Sequence, residues 1–238
     1  MRKILLSSVV VSALSLSVYA ADKTKEIVTH TEMGYIQTNG NTKTKTFNLD
    51  TKAERAWNKH VGTFTFDGQY SSDTGVTIKK KYFLELEYNY DFTDRLAFSY
   101  LAGYKYDAFS GFDYQAYTGP GIKYAAIKQS TQNLSLEASA LYSQDKYDTG
   151  VTNDYAAYRL KGDYSLQITQ TLKFTQEVSV RGSLEESDNY FAFSKTAFTS
   201  KISDIFSAGI SYKLDYANRP AATYKTDETL TFNLIMDY

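Results

Sequence analysis

The sequence predicts an all-β fold: a transmembrane antiparallel β-barrel of about twelve strands following a cleaved signal peptide. Three observations carry this expectation. The chain ends in Leu230-Thr231-Phe232-Asn233-Leu234-Ile235-Met236-Asp237-Tyr238, which puts Leu230, Phe232, Leu234, Met236 and Tyr238 on one face of a strand and Thr231, Asn233 and Asp237 on the other. The same period of two recurs along nearly the whole chain. An export signal opens it: Arg2 and Lys3 are followed by an apolar, serine-rich stretch from Ile4 to Val18, and Val18-Tyr19-Ala20 places cleavage after Ala20.

Residues 1–20 are short for a membrane anchor, and no stop-transfer pattern follows them. With no Cys in the chain, a lipoprotein anchor and a disulfide scaffold are excluded. Residues 21–238 then form one barrel domain without a linker, and Asp22 to Glu26 read as a short periplasmic lead. Mean hydropathy is negative, but a barrel strand shows lipid only every second residue, so the average hides the membrane face. The 22 Tyr suit interface girdles, where a ring sits in lipid and its hydroxyl in water. Having only 2 Pro suits a chain that lies mostly in hydrogen-bonded ladders. The net charge of −1 marks no nucleic-acid partner.

The elements follow in order. The first segment runs near Val28 to Gln37 and turns at Asn39-Gly40-Asn41. The second sets Phe47, Leu49 and Thr51 opposite Asn48, Asp50 and Lys52, and turns at Trp57-Asn58-Lys59-His60. The third carries Phe64 and Phe66 into a loop at Ser71-Ser72-Asp73-Thr74-Gly75. In the fourth, Ile78, Tyr82, Leu84, Leu86, Tyr88 and Tyr90 oppose Lys79, Lys81, Glu85, Glu87, Asn89 and Asp91. That alternation is too long for an ordinary globular strand and long enough to cross a bilayer at a tilt. After Phe92-Thr93-Asp94 come Leu96, Phe98, Tyr100, Ala102, Tyr104 and Tyr106, then Tyr114, Ala116, Thr118, Ile122 and Tyr124. Pro120 calls for a bulge or a strand end. Leu134, Leu136, Ala138, Ala140 and Tyr142 precede a polar loop from Asp145 to Asn153. The remaining segments carry Tyr158, Leu160, Tyr164 and Leu166; Leu172, Phe174 and Val178; Phe191 and Phe193; Phe206, Ile210, Tyr212 and Leu214; and the terminal strand. Lys195 and Phe198 blur the alternation between Tyr190 and Ile202, which leaves ten or fourteen strands open. Short turns alternating with longer polar loops are the asymmetry of a barrel with periplasmic turns and outer loops.

Two stretches resemble a known family. Gly34-Tyr35-Ile36-Gln37-Thr38-Asn39-Gly40-Asn41-Thr42 is similar to the opening of the YdiY-like salt-induced outer-membrane proteins, also catalogued as domain-of-unknown-function family 481. Tyr104-Lys105-Tyr106-Asp107-Ala108-Phe109, Asp113-Tyr114 and Gly119-Pro120-Gly121-Ile122-Lys123-Tyr124 resemble a second stretch of that family. Gln115 stands where the family usually carries Arg, and Lys123 where Gly is common. The resemblance implies a small outer-membrane barrel and a link to envelope or salt stress, and it supplies no catalytic residue.

With the apolar faces outward, the candidate lumen lining is Lys79, Lys81, Glu85, Glu87, Arg95, Lys105, Tyr117, Lys123, Glu137, Arg159, Lys161, Asp163, Lys173, Glu177 and Arg181. Such a set either selects solutes by sign or pairs across a narrow lumen and fills it; its basic excess would favour anions. Tyr117 points inward between Gln115 and Gly119, either filling space over the glycines or stacking on a solute. The tyrosines near strand ends belong to the girdles.

A lipid hydrolase is the competing class, and it would need a Ser-His pair. Only His30 and His60 exist, and no nucleophile motif accompanies them. Neither ligand spacing for zinc nor a calcium loop is present; Asp145, Asp148 and Asp154 lack the required pattern. No cofactor is expected. The expected role is therefore a structural or narrow solute-passing barrel and not an enzyme. A lipid-modifying enzyme and a surface receptor or adhesin stand as alternatives. Expected partners are outer-membrane lipid, lipopolysaccharide and, during biogenesis, the barrel-assembly machinery, with Phe232, Leu234, Met236 and Tyr238 as its assembly signal.

Overall fold

A computed structural model describes residues 27–38 and 43–238. The export signal, the lead and the Asn39-Gly40-Asn41 turn lie outside the described residues. The described chain forms twelve strands: β1 (Ile27–Gln37), β2 (Thr44–Trp57), β3 (His60–Asp73), β4 (Val76–Asp91), β5 (Leu96–Asp107), β6 (Phe112–Lys128), β7 (Gln132–Tyr147), β8 (Thr152–Gln167), β9 (Leu172–Ser183), β10 (Tyr190–Lys201), β11 (Phe206–Ala217) and β12 (Thr226–Asp237). Each strand pairs antiparallel with its neighbours in sequence, and β1 pairs with β12, so the sheet closes. Closure removes the edges whose unpaired backbone groups lipid cannot satisfy. The closing seam is short. Its register runs from His30↔Asp237 to Met33↔Leu234, whereas β1 and β2 pair from Ile27↔Arg55 to Gln37↔Lys45.

Strand alternation turns the usual globular arrangement inside out. Leu86, Tyr100, Ile122, Leu136, Leu160, Phe198, Ile210 and Phe232 are exposed on the outer face, while Lys81, Glu85, Ser99, Glu137 and Arg159 are buried within. At the end where the two termini lie, the connections (58–59, 92–95, 129–131, 168–171 and 202–205) have two to four residues. At the other end the connections reach eight residues, at 218–225. The short-turn end is the periplasmic one by the general rule for such barrels.

Several local expectations are corrected. Ser71, Ser72 and Asp73 belong to β3, and Asp145 and Asn153 face each other across β7 and β8. Ladder bonding continues past the apolar belt because backbone pairing does not require apolar side chains. The β3–β4 connection is only Thr74-Gly75, both with positive φ (49° and 85°), the geometry of a two-residue hairpin turn. Pro120 sits in mid-strand, where the β6–β7 register passes from Thr118↔Tyr142 to Gly121↔Ser139 and asks no donor of it. Phe191 faces inward, with its ring under the Arg181 guanidinium at 4.8 Å. This reversal is why the pattern blurs between Tyr190 and Ile202, yet that stretch is a single strand, β10.

Candidate functional site

The lumen is where the fold brings chemistry together, and it is bridged at several places. Lys81 on β4 and Lys105 on β5 both reach Asp215 on β11, at 2.7 and 3.0 Å. Lys213 on β11 pairs with Asp50 on β2 at 2.7 Å and with Asp67 on β3. Lys195 on β10 bridges Glu32 on β1 and Asp50 at 2.8 and 3.0 Å. These strands are not neighbours in the sheet, so the side chains meet across the interior.

The β4–β9 side is packed more tightly. Arg159 spans Glu85 and Glu137 at 2.5 and 3.0 Å. Tyr117 donates its hydroxyl to Glu85 at 2.6 Å, and its ring lies against Gly103, where any Cβ would collide with it. Leu101, Leu141, Tyr155 and Ala157 form a buried apolar cluster with Tyr117 beside them. Above this cluster, Tyr155 donates to Asp145 at 2.7 Å, while Arg181 bonds Ser143 and faces Asp145 at 3.5 Å. Lys123 pairs with Glu87 at 2.8 Å, and Lys161 with Glu177 at 3.0 Å and Asp163 at 3.6 Å. Lys79 donates to Thr229 at 2.8 Å. Among the described residues, the buried Ser99 Oγ, Gln69 Nε2, Asn89 Oδ1, Glu137 Oε2 and Arg159 Nε have no protein partner, the signature of sites that ordered water serves.

The β11–β12 loop (218–225) crosses the outer mouth. Ala221 lies so close to Gly111, in the β5–β6 loop on the opposite side of the barrel, that a Cβ there would come within 2.7 Å of its own. Arg219 pairs with Glu186 and Asp188 in the β9–β10 loop, and Asn218 donates to the Asp188 carbonyl at 2.8 Å. Beneath the strap, Phe112 meets Tyr147 and Phe191 at ring distances of 4.8 and 6.1 Å.

Two residues of the candidate lining lie elsewhere. Arg95 belongs to the periplasmic turn between β4 and β5, donating to the Ala126 carbonyl at 3.4 Å. Lys173 is exposed near the periplasmic end of β9. Sequence reasoning left out Glu32, Asp50, Asp67, Asp145, Lys195, Lys213 and Asp215. The same period-two rule finds most of them, since outward Tyr212 and Leu214 require inward Lys213 and Asp215. These additions are mainly carboxylates, so the basic excess disappears: among the described residues, carboxylates in these lumen bridges outnumber the cations.

His30 places Nε2 3.2 Å from Glu32 and Nδ1 2.5 Å from Asp237. His60 bonds the Tyr88 hydroxyl at 2.6 Å and stacks on Trp57. Among the described residues neither histidine meets a Ser or Thr hydroxyl. The three loop aspartates separate: Asp145 is buried beside Arg181, Asp154 accepts from Gln144 at 2.8 Å, and Asp148 lies in the turn. Phe232, Leu234, Met236 and Tyr238 are exposed on the outer face.

Residues 31–238 match the family model described as "Protein of unknown function, DUF481". The chain is 24% identical over 208 residues to the uncharacterized protein YdiY of Escherichia coli (strain K12), covering 84% of this chain and 79% of that protein. Among solved structures it is similar to the NanC porin, with a TM-score of 0.51 and 10% identity, covering 88% of this chain and 98% of that one. The KdgM porin gives a TM-score of 0.42 at 8% identity, covering 90% of this chain and 98% of that one.

Proposed function

The chain belongs to the DUF481 family and folds as an outer-membrane β-barrel, and from that premise we propose that it is a narrow barrel held closed by ion pairs across its lumen. It passes only small ions, and only when those pairs loosen. The observation that carries this reading is the bridge from Lys81 and Lys105 to Asp215, which joins opposite walls. An open channel keeps its lining charges apart and hydrated, whereas here they meet at hydrogen-bonding distance. Ionic strength screens the less buried pairs, which suits the envelope- or salt-stress role implied by the family resemblance. Enzymatic hydrolysis is not part of this reading, since among the described residues neither histidine meets a Ser or Thr hydroxyl that it could activate.

Single-channel recording of the refolded protein in a planar bilayer tests the reading. The expected record is mostly silent, with small openings whose frequency climbs with salt and rises further in Asp215→Asn. A steady, large conductance proportional to salt in the unaltered protein would overturn it. The outward residues Phe232, Leu234, Met236 and Tyr238 are proposed as the signal read by the barrel-assembly machinery. Deleting 232–238 then leaves the protein in the periplasm or degraded, and normal insertion of the deletion would refute that role.

A further inference from the structure

On the lipid-facing surface, β1 to β5 carry an apolar groove of about 420 Å³. Small side chains make the depression (Ala53, Gly62 and Ala102) and large ones make its walls (Phe64, Leu86 and Tyr100). The register aligns these residues on the outer face, with Ala53 beside Phe64, Phe64 beside Leu86, and Leu86 beside Ala102. The groove lies in the half of the barrel nearer the termini and ends at Arg55.

Arg55 is unusual in its position. Among the described residues, it is the one Lys, Arg, Asp or Glu that the strand alternation directs at lipid in the periplasmic half. It is exposed, and among the described residues it has no hydrogen-bond or ion-pair partner. Most of the lumen charges, by contrast, are paired with an opposite charge. Arg55 lies two residues before the end of β2, which at a strand rise of about 3.4 Å and a tilt near 45° puts it roughly 5 Å inside the strand end, at interface depth. Trp57 and Tyr88 flank it there, with His60 held between them by stacking and a hydrogen bond. Such an aromatic cluster marks the level of lipid headgroups.

A lipid-facing cation is costly at the bilayer midplane and tolerated near the interface, where it lies within reach of lipid headgroups. At this depth the anion on offer is the phosphate of a lipid in the periplasmic leaflet, and the groove beside it is lined almost wholly by apolar surface, as an acyl chain requires. We propose that this face is a binding site for one glycerophospholipid, its phosphate on the Arg55 guanidinium and one acyl chain lying over Ala53, Gly62 and Ala102. A planar guanidinium matches phosphate with two parallel donors. The inference rests on the membrane-spanning fold and not on whether the lumen conducts, so its test reads mass and leaves conductance aside.

The full-length mature barrel, refolded in detergent, is mixed with phosphatidylglycerol and retained lipid is measured by native mass spectrometry. One lipid per barrel is expected to persist at collision energies that strip the detergent. Arg55→Gln is expected to retain it about fivefold less, the effect of one cation facing anionic lipid, while Arg55→Lys keeps an intermediate share. Ala102→Leu, which fills the groove and leaves the charge intact, is expected to lose the lipid as well. Heat-modifiability on gels confirms that each variant is folded. Equal retention by Arg55→Gln and the unaltered protein would overturn the proposal. So would equal binding of diacylglycerol, which lacks the phosphate, or displacement of the lipid by inorganic phosphate at comparable concentration.

Discussion

The two sides of the lumen are closed by different means. On the β4–β9 side, Arg159 and its partners Glu85 and Glu137 have side chains only 6%, 7% and 3% exposed, and they rest on the apolar cluster of Leu101, Leu141, Tyr155 and Ala157. On the other side, Lys213 is 4% exposed, but Asp50 and Asp67 are 16% and 22% exposed, and among the described residues no buried apolar cluster backs them. One side is sealed by packing that happens to contain charge; the other is held by charge that water still reaches. If the barrel conducts as proposed, the difference separates stability from gating. Packing resists salt and tolerates no missing partner, whereas a partly hydrated pair can open without leaving a bare charge in a dry interior.

The sharpest test of that contrast removes one cation from each side. Arg159→Met strands Glu85 and Glu137, whose side chains are almost wholly buried, and such a loss costs about 3–5 kcal/mol. Lys213→Met leaves Asp50 and Asp67 partly hydrated, and the expected cost is nearer ~1–3 kcal/mol. Denaturant unfolding of the two variants in lipid vesicles, followed by tryptophan fluorescence, measures both. Equal losses would erase the distinction drawn here. The same pair of variants should split in the opposite sense in a bilayer recording, with Lys213→Met raising open time more.

Leu101→Ala probes the packed side without touching charge. Leu101 is fully buried among Leu141, Tyr155, Ala157 and Tyr117, and truncating a leucine in such a place costs about 2–5 kcal/mol. The unfolding midpoint should fall, and the salt dependence of conductance should stay as it was. A conductance change as large as that of Lys213→Met would mean that the apolar cluster, too, belongs to the gate.

Gly103→Ala is expected to cost less, about 1–3 kcal/mol, the usual effect of forcing an extra methyl into a packed interior. The added Cβ meets the Tyr117 ring, which must swing away and give up its hydrogen bond to Glu85. Gly103→Ala combined with Tyr117→Ala removes the clash, so the second mutation should recover part of the loss caused by the first. If the double variant falls by the sum of the two, the ring and the glycine do not form one unit.

Most of the barrel was legible from period two alone: the strand number, the outward faces and the charged interior are read by counting alternate residues along strands such as β4, where Lys81, Glu85 and Glu87 face Tyr82, Leu84 and Leu86. Alternation assigns a face but not a depth or a partner. Arg95 has lumen parity yet falls in a turn, because the sequence does not show where β4 stops. Loop boundaries failed likewise at Ser71 and Asp145, polar residues that remain paired in ladders. The bridges depend on shear and on the distance between opposite walls, and local pattern carries neither. Leu101 and Phe191 were hidden for a simpler reason: apolar residues facing the lumen break the rule that apolar means outward, and they do so where the interior is filled.

The smallest expected effect on stability concerns the strap over the mouth. Arg219, Glu186 and Asp188 are each about half exposed, and exposed pairs of this kind contribute only ~0–1 kcal/mol. Arg219→Gln should therefore leave the unfolding midpoint almost unmoved. Its effect belongs to the mouth, since Arg219 supplies the charged part of the tie between the β11–β12 and β9–β10 loops, beside the Asn218 hydrogen bond, while Ala221 reaches the opposite rim at Gly111. In the unaltered protein, rising salt screens this tie and should lengthen openings; in Arg219→Gln openings should already be long at low salt and respond weakly to more. The comparison of the two salt curves isolates the strap from the lumen, because Lys213 and its carboxylates are intact in both proteins. Parallel curves would show that the mouth does not gate, and that whatever salt dependence remains resides in the charged side of the lumen below it.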